Sequence, residues 1–259
     1  MTILVLDKGH VGANSDPGAI GFGLLESDIT NIIVDNMVNI LQQKYIVDVK
    51  VTPRSLNLTD RTNFSNNCNA DYFLSVHINA ANTQARGFES HIYTSPSNKS
   101  IEYQKIIHDE IYKYIKPFGS PDRGYKRSNF AMVRQTNCPA MLIECLFIDQ
   151  IDDAKLLKDN KFLDGLSNAI CYGLVLALGL KLKNKMEENI EVKEVVKEIN
   201  NINIINTKNS VNIIIDGQKL DIDNYIIDDH IYVPLKDICD TFQKEYKWDG
   251  GKREINIIK

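Results

Sequence analysis

Four ionisable side chains stand at the edges of apolar runs. His10 ends LDKGH, Glu26 follows GFGLL, His77 ends FLSVH and Glu144 ends MLIE. Two imidazoles and one carboxylate form a donor set suited to zinc. Three protein ligands leave the fourth position free for water, as hydrolytic zinc sites require. Zinc in such a set lowers the pKa of its water to about 7 and polarises a carbonyl. A further carboxylate such as Glu144 can take the water's proton and hand it to a leaving nitrogen, so the chemistry available is amide hydrolysis.

Spacing alone does not single these residues out. Separations of 16, 51 and 67 residues match no local metal motif of the HExxH kind. Each residue also has a plainer reading. A histidine at a strand end serves as a hydrogen-bonded structural group, and Glu26 suits the positive end of a helix dipole. Glu144 lies among Met141, Leu142, Ile143, Leu146 and Phe147. Burying a carboxylate there is costly unless it pairs, with Arg127 or Arg134 as partners within reach, or lies near a metal. Gly9, Gly12, Gly18, Gly21 and Gly23 do not spell a GxGxxG or Walker loop.

The elements that must position these groups are legible in the apolar pattern. Thr2 to Leu6, Tyr72 to Val76 and Ala140 to Ile143 are short apolar runs of the kind that form buried strands. Leu25 to Leu41 carries Leu25, Ile29, Ile32, Ile33, Met37, Ile40 and Leu41 at helical spacing. Similar helical patterns cover about 100 to 115 and 160 to 180. Strands alternating with helices predict an α/β fold, a mainly parallel sheet sandwiched by helices, with ligands beyond the carboxyl ends of the strands. Those ends are where the four candidates sit.

The composition of the whole chain narrows its partners. With 259 residues, 43% of them apolar, it is long enough for one good core and a smaller unit. Thirty basic and 34 acidic residues spread along it make no basic stripe, which argues against nucleic acid. The longest apolar run, Leu174 to Leu180, is far below the roughly 18 residues of a membrane span. The amino terminus has no basic segment followed by an apolar stretch and a small-residue cleavage site, so no Sec-type export signal is expected and the chain is taken to be made in the cytoplasm. Cys68, Cys138, Cys145, Cys171 and Cys239 are odd in number and form no CxxC pair, as expected of free thiols.

Beyond these physical readings, the stretch LDKGHVGANSDPGAIGFGLLESD resembles the opening of the zinc-dependent N-acetylmuramoyl-L-alanine amidases known as amidase family 3. VTPRS, ADYFLSVHINAA, RGFES, RGYKRSNFAMVRQTNCPAMLIECLFID and DDAKLL resemble the family's later landmarks, in the same order. The resemblance covers roughly residues 2 to 178. It implies that His10, Glu26 and His77 bind Zn2+ and that Glu144 is the catalytic carboxylate. It implies a substrate as well, the amide between muramic acid and L-alanine in peptidoglycan. Arg54 and Arg61 match further landmarks and are expected to be structural, and Asn79 either orients substrate or stabilises a turn. Lys8 and Val11 replace the family's usual proline and small residue, and Lys8 is expected to bring a positive charge near the zinc.

Residues 181 to 209, KLKNKMEENIEVKEVVKEINNINIINTKN, read as a linker between a catalytic domain over 1 to 180 and a small α+β domain over 210 to 259. The latter alternates apolar and polar residues over Val211 to Ile215, Tyr225 to Ile227, Ile231 to Val233, Glu245 to Trp248 and Ile255 to Ile258. A short helix is expected at Pro234 to Phe242. YVPLKDICDTF and KWDGGKREINI resemble the domain named for the amino-terminal part of copper amine oxidases. His230 and Cys239 are too few for a copper site. A wall-targeting or protein-contact role is expected, against a domain that only stabilises or dimerises the enzyme.

The expected protein is thus a wall-lytic zinc amidase that reaches peptidoglycan after holin-mediated release or lysis, as a phage endolysin or a bacterial autolysin. The alternatives are a zinc peptidase cutting within the stem peptide and a non-catalytic wall-binding protein. A glycosidase would use paired carboxylates without a metal.

Overall fold

The opening segment ILVL offers no polar side chain to solvent, and it forms the centre of strand β1 (Thr2–Lys8) with Leu4, Val5 and Leu6 fully buried. A computed structural model describes residues 1–12 and 15–183 in full. Beyond them it describes the backbone of strands between residues 202 and 258.

After β1 come a two-rung hairpin, β2 (Ile20–Gly21) and β3 (Leu24–Leu25), then helix α1 (Glu26–Lys44) and strand β4 (Val47–Val51). The chain continues through α2 (Leu58–Asn67), β5 (Tyr72–Asn79), β6 (Phe88–Tyr93), α3 (Asn98–Ile115), β7 (Asp122–Ser128), α4 (Ala131–Arg134), β8 (Ala140–Phe147), α5 (Ile151–Leu157) and α6 (Asn160–Leu178). The six-stranded sheet has the order β4-β1-β5-β8-β6-β7. Every pair in it is parallel except β6 against β8.

Alternation along the strands divides the interior. Leu4, Leu6, Leu74, Val76, Met141 and Ile143 face the larger cluster with Ile33, Met37, Ile107, Ile111, Leu166 and Ile170 from α1, α3 and α6. Val5, Phe73 and Leu142 face a smaller cluster with Met132 and Val133 of α4 and, at its margin, Phe64 of α2. The expected sandwich is therefore present, with helices on both faces. Helix α6 is long and apolar enough, by length and composition, to cross a membrane, but half of it is buried within the protein. Phe162, Leu163, Leu166, Ile170 and Leu174 on its buried face belong to the core.

The three expected strands are longer than their apolar runs, β1 by Asp7 and Lys8. Strand β5 continues past His77 to Asn79 and β8 continues past Glu144 to Phe147, so both residues lie inside strands instead of closing them. Their neighbours in the sheet supply the hydrogen bonds that extend the strands.

The chain divides into two compact units at Lys183/Asn184. In the second, Ile202–Thr207, Ser210–Ile215 and Gln218–Leu220 form a three-stranded antiparallel sheet. Tyr225–Ile227 pairs with His230–Tyr232, and Glu245–Asp249 with Glu254–Ile258. Strand Ile202–Thr207 falls inside the stretch expected to be linker, because its alternating Ile and Asn residues suit an antiparallel partner. The helix expected at Pro234 to Phe242, Cys239 and most of the expected linker lie outside the described residues.

Candidate metal centre and catalytic carboxylate

Strands β1, β5 and β8 are parallel neighbours, so their carboxyl ends share one edge of the sheet. At this edge the structure brings together three of the four candidates. One donor atom each from His10, Glu26 and His77 lies within 4.8 Å of the others. Glu26, the first residue of α1, is the hub. Its Oε2 is 3.1 Å from His10 Nε2 and its Oε1 is 2.9 Å from His77 Nδ1. Backbone amides of Ala19 and Ile78 donate to the same two oxygens at 2.8 and 3.0 Å.

The cluster is reinforced around its rim. Asp16 Oδ1 takes His10 Nδ1 at 2.8 Å, which fixes the ring and turns Nε2 toward Glu26, the arrangement that orients metal-bound histidines. Two glycines make the room. A Cβ at Gly9 would stand 2.7 Å from His77 Cε1 and Nδ1, and one at Gly18, where φ is +70°, would stand 2.5 Å from Glu26 Oε2 and His10 Cδ2. Nitrogen and oxygen donors without thiolate, in a cradle that excludes even a methyl group, fit zinc with an open coordination position.

Charge in the cluster follows from the same contacts. The hydrogen bond to Glu26 is the chief cause that raises the His10 pKa to about 9. Burial opposes ionisation of Glu26, but the hydrogen bonds from both histidines hold it far below the ordinary carboxylate range. His77 is likewise raised, with burial outweighed by Glu26 and Glu144.

Glu144 is the direct neighbour of His77 across β5 and β8 in register. Neither Arg127 nor Arg134 pairs with it; Arg127 binds Gln104 and Arg134 binds Asn129. Its Oε2 is shut off from solvent and has no hydrogen-bond partner among the described residues. Burial pushes its pKa up to about 7, with His77 opposing and the charges of Glu26 and Glu89 adding to the rise. A carboxyl that exchanges its proton near neutrality can serve as base and then as acid.

Glu89 was not among the candidates, although it lies in the quoted RGFES. It faces Glu144 in register on β6. Asn79 Nδ2 and Arg123 Nε donate to Glu89 at 2.9 Å each, and His91 Nε2 lies 3.4 Å away. Asn79 also caps its own turn by accepting from Ala80 N. His108 is an interior residue, buried between Ser90 and Asp122. Lys8 brings no free charge to the centre, because its ammonium is bound to Asn31 and Asp35 of α1. Arg54 donates to Ser27 O, and Arg61 is buried behind the His10 turn. Cys68, Cys138, Cys145 and Cys171 are free thiols.

Comparison with known proteins reaches the same part of the chain. A family described as N-acetylmuramoyl-L-alanine amidase matches residues 4–176, and one described as the copper amine oxidase N-terminal domain matches residues 174–257. The endolysin of Bacillus phage SPP1 is 42% identical over 184 residues, spanning 69% of this chain and 67% of the phage protein. The sporulation-specific N-acetylmuramoyl-L-alanine amidase of Bacillus subtilis (strain 168) is 38% identical over 185 residues, 70% of each chain. Among solved structures, an N-acetylmuramoyl-L-alanine amidase from Clostridium difficile 630 superimposes with a TM-score of 0.64 at 28% identity, covering 69% of this chain and 97% of that one.

Proposed function

This chain belongs to the N-acetylmuramoyl-L-alanine amidase family, and we propose that it lyses cell walls as a zinc enzyme, with His10, Glu26 and His77 as ligands and Glu144 as its catalytic carboxylate. It is an enzyme that hydrolyses the amide between N-acetylmuramic acid and L-alanine in peptidoglycan. The observation that carries the proposal is Glu144, whose Oε2 has no hydrogen-bond partner among the described residues, beside the clustered donors of His10, Glu26 and His77.

Bound zinc supplies Lewis acidity toward the scissile carbonyl and the attacking water. The chain's residues do the rest. Asp16 and the backbone amides of Ala19 and Ile78 hold the ligands in place. Glu144 accepts the water's proton and delivers it to the nitrogen of L-alanine as the amide bond breaks, leaving a free muramic carboxylate and a free amine.

The endolysin match supports action at the wall after holin-mediated release or lysis of the producing cell. The second unit acts as the wall-polymer contact that holds the enzyme on its substrate. Digestion of purified peptidoglycan by the wild type and Glu144→Ala, with and without chelator, tests the reading. Stem peptides with a free L-alanine amine are expected, lost in the variant and with chelator, and restored by zinc. Cleavage within the stem, or activity indifferent to chelator, would overturn it.

A further inference from the structure

His10 takes a backbone conformation that non-glycine residues seldom adopt, with φ at 66°. A ligand on such a turn needs its main chain held from several sides. Gly9 N donates to Val76 O at 3.0 Å and Gly9 O accepts from Thr30 Oγ1 at 3.0 Å, which fixes the peptide before His10. The carbonyl of His10 itself is met by Arg61 Nη2 at 2.9 Å.

Arg61 belongs to α2, behind the metal centre, and is 3% exposed. Its other donors reach the end of β1 and the loop before α2. Nη1 reaches Lys8 O at 2.5 Å and Asp7 Oδ1 at 3.0 Å, and Nε reaches Leu56 O at 3.0 Å. Asp7 is fully buried and is bound in addition by Ser75 Oγ at 2.7 Å and by Thr52 Oγ1. Ser75 is two residues before His77 on β5 and so shares its face of the sheet. One guanidinium therefore ties the end of β1, the turn bearing His10 and the loop before α2 to a carboxylate anchored under His77. A planar fork of five donors can satisfy these acceptors at once, and a lysine ammonium cannot reach them in that geometry.

We propose that Arg61 is a positioning residue for the metal centre: it holds the strained His10 turn so that the imidazole meets Glu26 and His77 in ligand geometry. The proposal rests on the reading of His10 as a ligand. A buried ion pair between Arg61 and Asp7 is by itself weak evidence of stabilisation, whereas two of the main-chain carbonyls bound by Arg61, those of Lys8 and His10, belong to the turn that carries His10. Partners behind metal ligands commonly change affinity by about 10- to 100-fold.

The test uses the full chain as wild type, His10→Ala, Arg61→Lys and Arg61→Ala. Zinc affinity is measured by competition with a chromophoric chelator, and thermal unfolding of the metal-free proteins is followed alongside. Arg61→Lys and Arg61→Ala are expected to bind zinc about 10- to 100-fold more weakly while their folded circular dichroism spectrum persists. Wild-type zinc affinity in the folded variants, with only the unfolding temperature lowered, would overturn the proposal and leave Arg61 a structural residue. If Arg61→Ala does not fold, Arg61→Lys decides alone, since it keeps a cation opposite Asp7. A His10→Ala protein that binds zinc as tightly as the wild type would remove the ligand reading itself, a failure separate from that of Arg61.

Discussion

Glu89 on β6 and Glu144 on β8 face one another in antiparallel register, yet among the described residues Arg123 pairs with Glu89 while no lysine or arginine pairs with Glu144. Their side chains leave the same face of the sheet, where directly opposed Cβ atoms are about 5 Å apart. The nearby His91 imidazole and the Arg123 guanidinium outweigh burial and hold Glu89 down at about 2, so it is anionic at neutral pH.

This fixed charge predicts a shift in the pH profile. Glu144 must be ionised to accept a proton, so kcat/KM should rise with pH through its pKa. Glu89→Gln removes a neighbouring negative charge, which lowers that pKa and moves the rising limb toward lower pH. A bound metal biases Glu144 equally in both proteins, so the difference between their profiles isolates Glu89. Rates measured on soluble peptidoglycan fragments from pH 5 to 9 check this, and superimposable limbs would deny the coupling.

Gly9→Ala tests the cradle. The added methyl would press on the His77 ring and on Val76 O. Neither can retreat far, since Val76 is fully buried and His77 is tied to Glu26. Zinc affinity should fall by about 10-fold or more, with the far-ultraviolet spectrum retained. Isothermal titration of zinc into both proteins provides the comparison, and an unchanged dissociation constant would show that the ring accommodates the methyl.

His108 predicts acid sensitivity away from the metal centre. Burial lowers its pKa, against the opposing pull of Asp122, so the folded protein keeps the imidazole neutral while the unfolded chain protonates near 6.5. The unfolded state then binds more protons below that value. The stability contribution is present above about pH 6.5 and is lost as pH falls through the lower folded pKa. His108→Gln should flatten the dependence of the unfolding midpoint over this window. An identical slope in both proteins would remove His108 as its source.

The helical layer over the larger core cluster should be sensitive to truncation. Leu166 of α6 is fully buried among residues of α1 and α3. Leu166→Ala is expected to cost about 2 to 5 kcal/mol in urea-induced unfolding, from lost burial plus the remaining cavity. A loss under about 1 kcal/mol would mean that the neighbouring helices close the gap.

The interior elements were legible because apolar residues at fixed spacing dominate them. Strand β1 and helices α1, α3 and α6 stand close to where their patterns place them. Strand β7, DRGYKRS, is an edge strand with polar side chains along it, and α2, LTDRTNFSNN, has few apolar residues and starts on an Asn57 cap. Neither has a strong period to read. The four candidate residues were chosen through family resemblance. Their clustering is a product of the crossovers that align the ends of β1, β5 and β8, which no local pattern reveals. Asp16, Gly18 and Glu89 were missed as partners because their roles consist of contacts across folded chain.

The reversed direction of β6 has a consequence for how this protein could diversify. Because β6 runs against β8, the chain leaving β5 beside the metal centre re-enters the sheet at the same edge, through a turn over residues 80–87 and not a crossover. Asp149 fastens that turn at Ala81 and Thr83, and Asp153 fastens it at Arg86 and Gly87. Extra residues inserted between these two moorings would build a wall beside the scissile bond without altering any strand pairing. The fold thus keeps one adjustable border next to otherwise fixed chemistry, a natural place for selection or engineering to change which wall is cut.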